Sequence, residues 1–163
     1  MKREDFKSLF NEHFDPLRNY IYYRCGDAEL ATDIAQDVFM KLWEKQLDKP
    51  PKELVGLLYK MAKDAFISKH RRSKTEQAFI ARPPDNNDEA QSPEEELNYK
   101  ELKRTYERAL KEMPEIQREV FLMSRMEELK YHEIAERLEL SIKAVEKRMK
   151  NALQFLRQAL AVT

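Results

Sequence analysis

The chain has 163 residues, and its 30 Lys and Arg balance its 30 Asp and Glu to a formal net charge of zero. It has no run of about 20 apolar residues and no apolar N-terminal stretch, so neither membrane insertion nor secretion is expected. Its single Cys cannot form an internal disulfide and its two Gly argue against a Gly-rich phosphate loop, so a reducing, cytoplasmic location is expected.

Apolar residues recur at steps of three and four through the first 75 residues, which predicts three helices. The apolar stripes run from Phe6 to Ile21, from Leu30 to Trp43 and from Leu54 to Phe66. Asp27 is a suitable N-cap for the second helix. Two consecutive prolines, at positions 50 and 51, interrupt the chain before the third helix, because proline lacks a backbone donor and disfavours helix in the preceding residue.

An acidic segment follows the third helix. Residues 76–96 carry seven acidic side chains and one basic one, whereas residues 1–75 and 97–163 each have a net charge of +3. The segment is rich in Pro, Asn and Asp and has few apolar residues, so burial cannot offset the entropy of ordering it. The sequence therefore predicts two domains, 1–75 and 94–163, joined by a flexible acidic linker, 76–93. The first domain is basic, and the second is basic from residue 97 onward.

The second domain begins with a strong helix start. Ser92 fits an N-cap, Pro93 the first helical position and Glu95 the carboxylate of a capping box. This helix runs to Pro114, and three more are predicted from the positions of apolar residues. They are Ile116 to Met123, Tyr131 to Leu138, and a long last helix capped by Ser141. No strand pattern is present, so the predicted fold class is all-α with two small helical domains.

The last two predicted helices have the pattern of a helix-turn-helix, in which the second helix enters the major groove of DNA. The outer positions at the start of the last helix are Lys143, Ala144, Glu146, Lys147, Lys150 and Asn151. Lys and Arg there would neutralise phosphates, Glu146 could accept from a cytosine amine, and Asn151 could bind adenine. The alternative is a solvated amphipathic helix in a bundle.

The first domain has two further candidate surfaces. Its third helix is basic and has Tyr59 and Phe66 interleaved, the composition of a surface that follows phosphates and stacks unpaired bases. For Phe66 the apolar register favours core packing instead. Its second helix has a polar side beside Trp43, an aromatic residue typical of interfaces and also of cores. That polar side consists of Asp33, Gln36, Asp37, Lys41 and Glu44.

Two stretches resemble a known family. Residues 27–44 are similar to the core-polymerase-binding region of bacterial sigma factors. In the second domain the resemblance is to the part that reads the −35 promoter element, and it covers residues 113–122, 131–135 and 141–148. Two domains joined only by a linker are typical of the extracytoplasmic-function group of the sigma-70 family. The resemblance covers nearly the whole chain, with its motifs in the expected order.

The resemblance implies a role for each matching residue. The second helix is expected to dock on the clamp coiled coil of the polymerase β′ subunit through Asp33, Gln36, Asp37, Phe39, Leu42 and Trp43. The third helix and the loop before it are expected to bind and melt the −10 element through Lys49, Lys52, Lys60, Lys63, Asp64, Ser68, Lys69, Arg71 and Arg72. The last helix is expected to read the −35 element through Ser141, Lys143, Ala144, Glu146, Lys147, Arg148, Lys150 and Asn151. The loop from Leu47 to Glu53 would capture a flipped −10 base.

The implied partners are core RNA polymerase, through its β′ clamp and β flap, promoter DNA, and an anti-sigma factor that could hold the chain at a membrane. The Cys and three His are too scattered for a zinc site, and no catalytic motif is present, so no enzymatic activity, metal or cofactor is expected. Two alternatives stay open: a helix-turn-helix regulator that acts without polymerase, and a sigma-like decoy. A further hypothesis is that the two domains pack on an anti-sigma factor, or on each other, when inactive.

The chain departs from the family pattern at several positions. Asp64 stands where Asn is usual, and Ser68 where an acidic residue is usual. Glu128 and Glu139 stand where Gly is frequent, so a left-handed backbone there would be costly. Glu146 replaces a frequent basic residue, which predicts an unusual −35 sequence.

Overall fold

The computed structural model describes residues 1–70 and 92–161. Within these ranges the chain forms seven helices and no strand, so the all-α prediction is confirmed. The helices are α1 (Arg3–Cys25), α2 (Ala28–Lys45), α3 (Pro51–His70), α4 (Pro93–Glu112), α5 (Glu115–Glu127), α6 (Tyr131–Leu138) and α7 (Ile142–Ala161). Most of the predicted linker 76–93, together with Arg71 and Arg72, lies outside the described residues.

The three predicted caps are confirmed. The Asp27 carboxylate accepts from the backbone N–H of Leu30 at 3.1 Å. Ser92 and Glu95 form a reciprocal capping box, with both donor–acceptor distances 3.2 Å. The Ser141 hydroxyl accepts from the third N–H of α7 at 3.1 Å. Each cap satisfies a backbone N–H that the helix itself leaves unpaired.

An aromatic cluster joins the N-terminal half of α1 to α2. The Phe39 ring lies 6.2 Å from Phe6, 5.1 Å from Phe10 and 5.9 Å from Phe14, measured between ring centroids. The Trp43 ring lies 4.9 Å from Phe6. Such tilted and edge-on arrangements are the favourable ones for aromatic pairs. The cluster therefore sets the position of α2, whose opposite face is left in solvent.

The residue at the turn of the helix-turn-helix has a left-handed backbone conformation. Glu139 ends α6 with φ 54°, and the N–H of Leu140 donates to the carbonyl of Ala135 at 2.9 Å. Glu128 ends α5 with the same φ. Both glutamates thus have the left-handed backbone conformation that Gly adopts most easily. For a residue with a side chain, this conformation costs roughly 1 kcal/mol of conformational free energy.

The buried guanidinium of Arg118 joins the two domains. It donates to the carbonyls of Tyr23 and Arg24 at the end of α1, and to three carbonyls at the end of α4. Burial lowers the pKa of Arg118 to about 10, so the side chain is still protonated at neutral pH. A single side chain on α5 therefore satisfies unpaired carbonyls of two other helices.

Replacing Arg118 with Met is expected to lower the free energy of unfolding by about 3 kcal/mol, because five carbonyl oxygens, four of them in buried hydrogen bonds, lose their donor. Urea unfolding followed by circular dichroism would measure this loss. Arg125 is exposed on the same helix, and Arg125→Met serves as the control with little expected effect. Equal stabilities of the two variants would contradict the structural role of Arg118.

Candidate nucleic-acid and protein interfaces

The outer face of α7 brings the predicted −35 residues together. Ser141, Lys143, Glu146, Lys147 and Lys150 are exposed, and Ala144 and Asn151 are partly exposed. The inward side of α7 is buried through Val145, Met149, Ala152 and Leu156. This division leaves a basic strip along the first half of the helix, the part that a helix-turn-helix presents to base edges.

Arg148 differs from the rest of this face. Its side chain is only 27% exposed, and its Nη1 lies 3.6 Å from Oε1 of Glu119. Glu119 is 3% exposed and accepts from Nη1 of Arg24 at 2.7 Å. Burial raises the pKa of Glu119, and the positive charges of Arg24 and Arg148 oppose this shift. Arg148 is therefore turned toward a buried carboxylate in this conformation.

The predicted −10 residues lie along α3 and just before it. Lys60, Lys63, Asp64 and Ser68 are exposed, and so are Lys49 and Lys52. Nζ of Lys52 lies 3.4 Å from a carboxylate oxygen of Glu136 on α6. Lys69 is the penultimate residue of α3.

The interpretation of Tyr59 as a base-stacking residue is wrong for this conformation, whereas the core packing favoured for Phe66 is confirmed. Both rings are buried: Tyr59 packs 5.1 Å from the ring of Tyr20, and Phe66 lies under the Arg24 guanidinium at 5.4 Å. Their spacing places them on the apolar side of α3, where core packing takes precedence over exposure.

The solvent face of α2 is acidic with an apolar centre. Asp33, Gln36 and Asp37 are exposed, and Met40 between them and Glu44 is 61% exposed. Sequence reasoning did not single out Met40, although its spacing of four residues from both Gln36 and Glu44 places it on their side of the helix.

Phe39 and Leu42 do not belong to this face. Their exposed fractions are 1% and 0%, so both lie in the core beneath the surface that was expected to bind polymerase. Trp43 is half-buried and stands at the edge of the face. The period of 3.6 residues explains the difference, because Phe39 and Leu42 continue the buried row begun by Ala35 and Val38.

The described ranges hold neither a metal site nor a membrane span. No group of three or more His, Cys, Asp or Glu in those ranges has the arrangement that a metal ion requires. No helix there is long and apolar enough to cross a membrane.

The fold and these surfaces define a helix-turn-helix protein with a second helical domain that has its own charged face. A family model described as sigma-70 region 2 matches residues 9–76, and one described as sigma-70, region 4 matches residues 103–156. The chain belongs to the sigma-70 family of bacterial RNA polymerase sigma factors, in its extracytoplasmic-function group. It directs core RNA polymerase to specific promoters and initiates transcription.

Individual relatives agree with this assignment. The ferric citrate uptake sigma factor FecI of Escherichia coli (strain K12) is 30% identical over 152 residues, covering 91% of this chain and 87% of that protein. RNA polymerase sigma factor SigZ of Bacillus subtilis (strain 168) is 26% identical over 160 residues, covering 96% of this chain and 87% of that protein.

The fold is similar to that in the co-crystal structure of the sigma factor RpoE with the anti-sigma factor NepR from Bartonella quintana. The TM-score is 0.63, the sequence identity is 21%, and 98% of each chain is covered.

Proposed function

We propose that three surfaces of this sigma factor have separate binding roles. The exposed face of α2 binds the β′ clamp, α3 and the loop before it bind and melt the −10 element, and the outer face of α7 reads the −35 element. In this proposal residues 1–75 form region 2, 76–93 the linker and 94–163 region 4, which also contacts the β flap. The observation that carries the proposal is the exposed acidic face of α2 in the same chain as a basic helix-turn-helix.

The α2 face has the composition of a protein interface. An exposed Met with a half-buried Trp at its edge provides apolar contact area, and the carboxylates around them would fix orientation against a basic partner. This composition favours a protein partner over DNA, because two exposed carboxylates would repel phosphates.

The α3 surface suits an opened duplex. Lys60 and Lys63 would neutralise phosphates, and Asp64 beside them could accept from exocyclic amines of bases but could not donate to a base acceptor. Flipping a base costs a few kcal/mol of stacking, which the loop before α3 would recover by holding the base. The identity of Asp64 thus bears on the −10 preference.

The protein acts by binding and performs no chemistry of its own in this proposal, and it requires no cofactor. Its site of action is the cytoplasm, where its polymerase and promoter are. The fold neighbour named above was solved with an anti-sigma factor. We infer that this chain too is controlled by an anti-sigma factor, which could retain it at the membrane.

Two neighbouring residues distinguish surface from core in α2. Met40→Ala is expected to weaken core polymerase binding roughly tenfold and to change stability by less than about 0.5 kcal/mol. Phe39→Ala is expected to lower the free energy of unfolding by about 3 kcal/mol or more, with near-normal polymerase binding by the folded fraction. Biolayer interferometry and urea unfolding would measure the two quantities. Loss of binding by Phe39→Ala without loss of stability would contradict this division.

The whole proposal is tested by transcription in vitro with core polymerase on a genomic fragment library. Start sites should share a −35 and a −10 sequence, and they should disappear when the chain is left out. A chain that binds DNA but does not co-purify with core polymerase would instead be a stand-alone regulator.

A further inference from the structure

A cavity of about 280 Å³ lies between α3 and the helix-turn-helix. It is lined by residues of α1, α3, α5, α6 and α7 and by the turn between the last two helices. Small-molecule sites usually enclose roughly 300 to 1,000 Å³, so this cavity is at the lower end of their range. It has room for a compact ligand but not for a segment of a nucleic-acid strand.

The charged side chains that line this cavity are mostly cationic. Four cations and two carboxylates give its wall a net charge of +2. They are Lys60, Lys63, Arg137, Arg148, Glu119 and Glu139. A cleft in which one sign of charge predominates attracts ions of the opposite sign, and its walls strengthen the attraction because they exclude water. The cavity therefore favours an anion.

Three of the four cations lack a carboxylate partner. Lys60, Lys63 and Arg137 form no ion pair with another residue of the described ranges. Nη1 of Arg137 donates to a neutral group, the hydroxyl of Tyr59, at 3.4 Å, and a guanidinium has five N–H donors in all. Like charges that line one cavity repel each other. An anion between them would remove this repulsion and accept the hydrogen bonds that these donors can still make.

The two carboxylates in the wall do not exclude an anion. Glu119 is 3% exposed, and its oxygens lie 2.7 Å from a nitrogen of Arg24 and 3.6 Å from one of Arg148. Its charge is therefore balanced by two guanidinium groups. Glu139 is exposed, so solvent ions screen its charge. The unpaired cations thus decide the charge that a ligand meets.

We propose that this cavity binds a small diphosphate, either inorganic or at the end of a nucleotide. Lys60 and Lys63 bind one phosphate as point charges, and Arg137 binds the other with its planar set of N–H groups. One phosphate group carries at most about two negative charges at neutral pH, fewer than the three unpaired cations. Two linked phosphates match that charge and can contact α3 and α6 together.

A bound diphosphate would compete with promoter DNA. It occupies Lys60 and Lys63, which are proposed above to bind the −10 element. The ligand would therefore make promoter binding depend on the concentration of a small metabolite. Only this consequence rests on the promoter function, because binding of the diphosphate is measured on the free chain without DNA or polymerase.

Isothermal titration calorimetry of the full chain tests the site directly. The probes are inorganic pyrophosphate, a nucleoside diphosphate and inorganic phosphate, each at fixed ionic strength and without divalent metal. We expect a dissociation constant below about 100 μM for at least one diphosphate, and at least tenfold weaker binding of phosphate. Tighter binding of the nucleoside diphosphate would assign the ligand to the nucleotides, and tighter binding of pyrophosphate to the inorganic form. Phosphate binding as tight as both diphosphates, or no saturation near 1 mM, would overturn the proposal.

Charge changes in the cavity should alter this affinity in opposite directions. Arg137→Gln and Lys63→Ala are each expected to weaken diphosphate binding at least about fivefold, and Glu139→Gln to tighten it about twofold. Lys63 is exposed, so its replacement leaves the fold intact. Arg104→Gln, on the exposed side of α4, removes the same charge as Arg137→Gln and is the control. Equal losses in these two Arg variants would reduce the site to non-specific attraction and overturn it.

Displacement of a labelled −10 single strand from the free chain tests the competition. At ten times its dissociation constant, the diphosphate should lower the apparent affinity for the strand roughly tenfold. Arg137→Gln should lessen this displacement, since Arg137 is not among the residues proposed for DNA. Saturable diphosphate binding without displacement would contradict the −10 role of Lys60 and Lys63 and leave the diphosphate site intact. Displacement as strong with Arg137→Gln as with the natural chain would overturn the site.

Discussion

A double variant with Asp33→Lys and Asp37→Lys is expected to bind core RNA polymerase at least about 100-fold more weakly than the natural chain. Both residues are exposed on one side of α2. The double change moves the net charge of the face by four units and would place like charges against a basic partner surface. Affinity for core enzyme is measured by interferometry at two salt concentrations, since a charge-based loss shrinks at high salt.

The matched control for this variant is Glu12→Lys with Asp15→Lys, which makes the same charge change on exposed positions of α1. We expect it to bind core polymerase within about twofold of the natural chain. Unchanged binding by the α2 variant would refute the assignment of that face. Equal losses in both variants would show that overall charge, and not the face, governs binding.

Replacing Lys147 and Lys150 with Ala is expected to reduce the affinity of the holoenzyme for −35 DNA and to lower its salt slope by about 1.8, or about 0.9 for each phosphate that is no longer neutralised. Both side chains are exposed on the outer face of α7. The loss should be nearly the same for every −35 sequence, because binding to phosphate carries no sequence information. Affinities for selected and mismatched −35 duplexes, each across a salt series, would measure it.

Lys100→Ala with Lys111→Ala removes two charges from exposed positions of α4 and should leave the slope unchanged. A lower affinity of the α7 variant with an unchanged salt slope would contradict the phosphate role. A loss confined to one base pair of the −35 element would instead assign Lys147 or Lys150 to direct base reading.

Arg148 is left unchanged in this variant because it has a second partner. Its Nη1 lies 3.6 Å from Oε1 of the buried Glu119. Removing Arg148 would therefore change both the DNA-facing surface and the environment of that carboxylate.

Much of the fold could be predicted because its signals are local. The caps at Asp27, Ser92 and Ser141 are set by side chains that bond to backbone within three residues, so their chemistry is visible in the sequence. The outer face of α7 follows from helical periodicity alone. The acidic face of α2 was predicted as well, because charged residues at three- and four-residue spacing stay in solvent.

The errors occurred where one residue type suits two environments. Phe39, Leu42 and Tyr59 are apolar or aromatic, and such residues occur both at interfaces and in cores. Burial of all three was decided by packing between helices. Met40 was missed for the converse reason: its neighbours on the helix indicated an exposed position, but an apolar side chain favoured the interior.

The sequence by itself determined that this chain has two helical regions, a helix-turn-helix and a polar α2 face, because periodicity, capping and composition act over short distances. Only the tertiary structure decided how the domains meet. Arg24, Arg118 and Glu119 look like ordinary surface residues in the sequence, yet all three are buried. Arg24 and Glu119 are 95 residues apart and Arg118 binds backbone carbonyls of other helices, and no local pattern encodes such pairings.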